Sequence, residues 1–285
     1  MYLSNTKISD LTDFIKYITS DRESSQTVNV FRGLSNSEFE MVPSLFRSNS
    51  HKRQEKSILR ELISRHPGEF VDDKTTFDNL VKMQHYQLPT RLLDITYNPL
   101  FALYFACQNL QVSGAFVRIT APKNQVKYYD SDTVSILSNL CHFTGRQKSR
   151  LLVAAEECAD IEEFNRTDIV QDLLYYVQLE KVNFRAIINP DDLLSMFVVK
   201  PKQNNRRIIA QQGGFIIFGL YSDLNESRAS SLKLETTIIP KSAKRRILRE
   251  LDSININDST VFPELERASA YIMGKLSPSA DADLI

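Results

Sequence analysis

Three stretches of the chain hold residues whose types and spacing could do chemistry. In TVNVFRG the alternation of β-branched residues predicts a strand with Val28, Val30 and Arg32 on one face. A guanidinium there sits at the edge of a core, where desolvation costs on the order of several kcal/mol unless its donors are satisfied. Its partner is either Asp94, in an internal ion pair, or the phosphate or ribose of a ligand that a bidentate fork can grip. Gly33 follows directly and suits a backbone turn or the close approach of a ligand. The second stretch packs His85, Tyr86, Thr90, Arg91, Asp94 and Thr96 into twelve residues. Asp94 and Thr96 precede an apolar helix, whose first amides could either be capped or receive a phosphate. His85 is placed for hydrogen bonding in the fold or, by its ordinary pKa, for proton transfer. The third stretch joins Arg207, Gln211 and Gln212 to Gly213-Gly214 ahead of an apolar run. Glutamine orients ligands or backbone by hydrogen bonds and is a poor general base, and the glycine pair reads as a turn.

Several elements must position these groups. A capped, amphipathic pattern over Ser9–Ser20 predicts a helix, and charged or amphipathic patterns predict helices over Lys52–Arg65 and Thr76–Tyr86. Pro89 ends the last of these, Thr90–Ile95 reads as a short strand, and Asn98-Pro99 supplies an N-cap with proline at N1 for a buried helix over Leu100–Leu110. Strands are expected at Gly114–Thr120, Phe215–Leu220 and Leu232–Ile239, with Thr133–Glu180 mostly helical. The pattern KSAKRRILREL predicts a basic amphipathic helix, and Glu264–Leu276 a further one. No repeat or linker divides the chain, so one α+β domain is expected over 1–285, with a central mixed or antiparallel sheet and surrounding helices. Its parts are an N-terminal helix in 1–25, a core over 26–240, helices over 241–276 and an unordered tail over 277–285.

Composition narrows the classes of function. Thirty-five basic and thirty-five acidic residues cancel, against the basic excess usual for a nucleic-acid domain, although a local patch such as the Lys241–Arg249 face stays open. No run of about 18 apolar residues suggests a membrane span. The beginning, MYLSNTKISDL, has neither a basic nor an apolar leader, so a cytoplasmic location is expected. Cys107, Cys141 and Cys158 show no CxxC spacing, which predicts free buried thiols and no metal site.

The strand tripeptide Phe31-Arg32-Gly33, the run PSLFR at Pro43–Arg47 and QHYQLPTRLLDITYNPLFALYFAC at Gln84–Cys107 resemble the FRG-domain family, and the resemblance extends to RIIAQQGGF at Arg207–Phe215 and VFPELE at Val261–Glu266. It thus spans nearly the whole chain. Gln87 and Ile95 stand where that family pattern usually has glycine and tryptophan. The family comprises bacterial and phage domains associated with mobile or defence genes, which implies an effector in such conflicts with a protein target, antitoxin or nucleic acid as partner. A more distant likeness is to ADP-ribosyltransferases. It implies an ADP-ribosyltransferase-like fold with NAD as substrate: Arg32 would hold the ribose-phosphate, Thr96 would support the nicotinamide ribose, Gln211 or Gln212 would orient the reaction, and His85 would assist. Gly33, Tyr86, Thr90, Arg91, Asp94, Arg207 and Gln212 would line the ligand site. The alternative is a module that binds a nucleotide or nucleic acid without turnover, and a third reading makes these residues an internal hydrogen-bonded network.

Overall fold

The computed structural model describes residues 2–3, 6–20, 24–223 and 231–276, so the tail at 277–285 lies outside the described residues. Its strands are β1 (Tyr2–Leu3), β2 (Thr27–Leu34), β3 (Leu92–Thr96), β4 (Gly114–Pro122), β5 (Val126–Tyr128), β6 (Met196–Lys200), β7 (Gly213–Phe218) and β8 (Lys233–Ile239). They form one mixed sheet in the order β1-β8-β4-β2-β3-β7-β6-β5. The β1–β8 and β5–β6 pairs are parallel and the others antiparallel. The helices are α1 (Leu11–Thr19), α2 (Asn49–Arg65), α3 (Thr76–His85), α4 (Pro99–Ala106), α5 (Asp132–Asn139), α6 (Gly145–Glu156), α7 (Ile161–Arg166), α8 (Asp168–Glu180), α9 (Pro190–Leu193), α10 (Arg206–Ala210), α11 (Lys241–Ser253), α12 (Asp258–Val261) and α13 (Leu265–Leu276). The protein is therefore α+β, with helices around a central mixed sheet.

The period-2 pattern sorts side chains between the two faces of this sheet. Val30 and Leu34 of β2 share a cluster with Leu93 and Ile95 of β3, Val117 and Ile119 of β4, Val198 of β6 and Ile216 of β7. One face of five strands thus packs on itself, which requires the sheet to curl. The other face carries two helical layers. Beneath one half, Phe14, Leu103, Phe116, Ile247 and Leu251 join α1, α4 and α11 to the sheet. Beneath the other half, Phe77, Leu80, Leu137, Leu173, Phe215 and Ile217 join α3, α5 and α8 to it.

Helix α4 is bound to the sheet at close range. A Cβ on Gly33 would lie 1.9 Å from the Ala102 carbonyl oxygen and 2.6 Å from the Ala106 nitrogen. The close approach at Gly33 is therefore that of a helix backbone. Helix α4 ends at Ala106, short of the expected Leu110, and the glycine pair opens β7 instead of making a turn, Gly213 opposite Thr96 and Gly214 opposite Ile95. The basic face of α11 is partly spent on the fold. Lys244 is buried and donates to the carbonyls of Ser35 and Asn109 at 2.9 and 2.7 Å, and Arg246 pairs with Asp10 and Glu250. Among the described residues no helix is long and apolar enough to cross a membrane.

Gly33→Ala should cost about 3 kcal/mol or more, because a backbone cannot yield as a side chain does. Gly68, which has open space around it, provides the control: Gly68→Ala should stay within about 0.5 kcal/mol. Urea unfolding of both variants measures the contrast.

Candidate functional site

Strand β2 pairs with β4 at eight register positions but with β3 at one, Phe31 opposite Thr96. Beyond that pair the two strands part, and the Arg32 side chain fills the gap. Its guanidinium donates to the Asp94 carbonyl, in the place a ladder amide would occupy. The Asp94 carboxylate is only a loose partner at 3.9 Å and is itself 56% exposed, against 18% for the Arg32 side chain. Arg32 Nε is buried without a partner. Burial pulls the Arg32 pKa down, Asp94 opposes this, and Arg47 adds to it.

Two cavities, of about 340 and 270 Å³, open at this parting and share Asp94, Ile95, Arg207 and Gln211 as lining. Arg32, Gly33, Arg47 and Thr96 line the larger, while Gln84, His85 and Gln87 line the smaller. Residues far apart in sequence thus meet in one cleft because β2, β3 and β7 are neighbours in the sheet. Helix α4 contributes Phe105, and the following Gln108, to the lining; its first turn is capped by Asn98, whose side chain accepts from the Leu100 amide at 2.9 Å. The phosphate position suggested by the sequence at that helix start is therefore occupied by a cap.

The other expected site residues fall into place around the cleft or away from it. Thr96 donates to the Gln211 carbonyl at 2.7 Å and accepts from the Asn98 amide at 3.0 Å, so its proton ties β3 to the end of α10. The Gln211 side chain donates to the Val261 carbonyl at 3.1 Å, which leaves its amide oxygen unspent. Thr90 is buried outside the cleft and acts through Gln84: it donates to the Gln84 amide oxygen at 2.6 Å, and Gln84 donates to the Asp94 carboxylate at 2.8 Å. Tyr86 is exposed and meets His85 edge-on. Gln212 contributes its carbonyl to the Tyr97 amide, not its side chain to the lining. Arg91 lies elsewhere. It is fully buried, bidentate to Glu55 at 2.7 and 2.8 Å, and donates to the carbonyls of Phe218 and Gly219, so it serves a structural ion pair.

Helix ends aim the smaller cavity's side chains. Helix α3 stops in a Schellman motif, with the Gln87 amide donating to the Gln84 carbonyl and that of Leu88 to the Met83 carbonyl. Gln87 takes φ 63°, a left-handed conformation that favours glycine, at the position where the resembled family usually has glycine. Past the end of α10, Gln212 takes the same left-handed conformation at φ 46°, with its amide donating to the Ile209 carbonyl at 3.1 Å.

Sequence reasoning missed Arg47, Gln84 and Glu264. Arg47 and Glu264 stand inside the runs PSLFR and VFPELE; Arg47 lies in a loop without periodicity, and Glu264 directly precedes α13, where an acid reads as an ordinary helix-start residue. Glu264 Oε2 and His85 Nδ1 are both buried without partners. Burial chiefly lowers the His85 pKa and Arg207 adds to this, while Glu264 pulls it upward. His85 is thus a neutral imidazole at neutral pH, able to accept a proton. Arg207 also lies over the Phe262 ring, 5.4 Å from its centre, which holds the C-terminal arm against the cleft.

The arrangement is an α+β protein with a cleft lined by three arginines, Arg32, Arg47 and Arg207, and one carboxylate, Asp94. Residues 27–114, from the start of β2 through α4 to the first residue of β4, match the family model described as the FRG domain. That span includes Arg32, His85, Asp94 and Thr96; Arg207, Gln211 and the VFPELE run lie outside it. No curated protein and no solved structure matches the chain.

Gln87→Gly should raise the unfolding free energy by about 1 kcal/mol, through relief of left-handed strain offset in part by glycine's entropy. A denaturant midpoint that falls instead would show the Gln87 side chain to be part of the local packing.

Proposed function

We propose that the cleft binds NAD and that the protein is an ADP-ribosyltransferase-like enzyme, which breaks the nicotinamide–ribose bond and passes ADP-ribose to a nucleophile. The observation that carries this reading is the meeting of Arg32, Thr96 and Gln211, from three neighbouring stretches of the sheet, in one cleft where β2 and β3 part. The larger cavity, about 340 Å³, lies at the lower end of the range of small-molecule sites, and the smaller, about 270 Å³, adjoins it through shared lining. Arg32, Arg47 and Arg207 provide planar donors for a pyrophosphate, and Arg32 Nε is buried with no protein partner.

The chemistry asks for positioning and charge stabilisation. As the bond from the ribose C1′ to nitrogen breaks, nicotinamide leaves with the electron pair and positive charge develops on the ribose. The Asp94 carboxylate, in the lining of both cavities, stabilises that charge. An acceptor oxygen or nitrogen attacks C1′, and its proton passes to neutral His85. Water as acceptor gives a glycohydrolase; a protein or nucleic-acid acceptor gives a transferase, as would suit an effector in conflict between bacteria and phages. Thr96 orients Gln211 in this scheme and donates nothing to the ribose, because its proton is committed.

A second reading, a nucleotide-binding module without turnover, draws support from those committed groups: Thr96 and the Gln211 amide serve the fold. Nicotinamide release from NAD, measured with water, cell protein or nucleic acid as acceptor, separates the two. The enzyme reading expects release that falls by about 10²–10⁴ in His85→Asn with little change in thermal midpoint. It also expects an acid limb in kcat/KM below pH 6.5, the ordinary histidine value, since the base must be neutral and its pKa is lowered. Binding of ADP-ribose with no nicotinamide released under any of the three conditions would leave the binding module.

A further inference from the structure

On the far side of the loop that carries PSLFR, a second hollow of about 530 Å³ lies between α2 and α6, with Phe46 as part of its wall. Ser44 and Arg47 face the cleft from the same loop, so the two spaces are neighbours without shared lining. The deep wall of the hollow is a buried charge cluster. Glu55, 2% exposed, accepts two bonds from Arg91 and one from Lys148. Burial alone would raise the Glu55 pKa, yet the two cations outweigh it and hold the carboxyl below its ordinary range.

That carboxylate is fully used by its partners, and it is the single acid in the lining. Lys52, Arg53 and Arg146 also line the hollow, and among the described residues none of them forms an ion pair. Lys148 keeps two further N–H donors beyond its bond to Glu55. Five cations therefore converge on one acid, in a molecule whose charges cancel overall. Arg91 and Lys148 compensate the buried Glu55 and Lys52 lies over the Phe46 ring, whereas Arg53 and Arg146 add like charge with no acid of their own unless an anion enters.

We propose that this hollow is a second ligand site, for a small molecule carrying several phosphate charges, such as a nucleotide di- or triphosphate. The buried Glu55–Arg91–Lys148 cluster fixes the floor and aims Lys148, while the exposed Lys52, Arg53 and Arg146 close on the outer phosphates. A compact ligand is favoured over a polynucleotide because the cations surround a hollow instead of forming a stripe, and the chain lacks the basic excess of a nucleic-acid domain. The site is independent of the NAD reading and stands whether or not the cleft is catalytic.

Isothermal titration with inorganic tripolyphosphate, ADP and a twelve-nucleotide single-stranded DNA, at low and moderate salt, provides the test. The variants are the triple substitution Lys52→Ala/Arg53→Ala/Arg146→Ala, all at exposed positions, and the cleft substitution Arg207→Ala. Tripolyphosphate should bind the native protein, the component of binding at this hollow should weaken by about tenfold or more in the triple variant, and that component should persist in Arg207→Ala, which removes only what the cleft contributes. No detectable tripolyphosphate binding overturns the proposal, as does binding lost in Arg207→Ala but kept in the triple variant. DNA binding tighter than tripolyphosphate through the same three residues overturns its compact-ligand form. Nicotinamide release by the triple variant, measured alongside, reports on the cleft separately.

Discussion

The parting of β2 from β3 around one guanidinium is the constraint from which the site follows. Two strands that pair at a single position leave backbone groups without ladder partners, and Arg32 supplies the missing donor to Asp94. That one bond holds the opening at a width the side chain sets, and it places a positive charge at the centre of the sheet instead of its edge. A lysine there would bring a point charge but no planar fork able to serve a carbonyl and an anion at once. The gap is also what makes room for a cleft: a continuous ladder would leave no hollow between these strands.

The ties that hold the cleft open are mostly backbone bonds made by side chains. Thr96 binds the Gln211 carbonyl, Gln211 binds the Val261 carbonyl, and Arg207 lies against Phe262. These three links connect β3, α10 and the C-terminal arm, so the arm that brings Glu264 toward His85 is secured from the cleft itself. Polar residues that look like chemistry can therefore be scaffold, and the distinction rests on which donors remain unspent. By that measure Arg32 Nε, His85 Nδ1 and Glu264 Oε2 stand out. Arg91 does not, with four of its donors engaged.

Much of the architecture was legible in the sequence where periodicity or a cap speaks locally. The alternation in TVNVFR placed Arg32 on the face of Val28 and Val30, and Asn98-Pro99 marked the start of α4. Strand β6, MFVVK, gave no such signal, because a strand buried along its length shows no alternation. The glycine pair misled for a related reason. A Cβ on Gly214 would lie 3.0 Å from the Tyr97 ring and 3.2 Å from the Val199 carbonyl oxygen, a packing requirement of the sheet that resembles turn chemistry in one dimension. Within the site, the meeting of Arg32, Asp94, Thr96 and Gln211 depends on strand order, which local pattern could not supply. Glu55 as the partner of Arg91 was invisible, since an acid within a charged helix reads as solvent-facing.

The most direct measurement is ¹⁵N-edited NMR of the arginine Nε–H groups during titration with ADP-ribose. The account predicts that the Arg32 Nε–H resonance, assigned by its loss in Arg32→Lys, shifts in a saturable way together with that of Arg207, while the Arg91 resonance stays fixed. An Arg32 resonance that does not move while ADP-ribose binds elsewhere, or no binding at millimolar ligand, would contradict the claim that the parting of β2 and β3 forms an anion site.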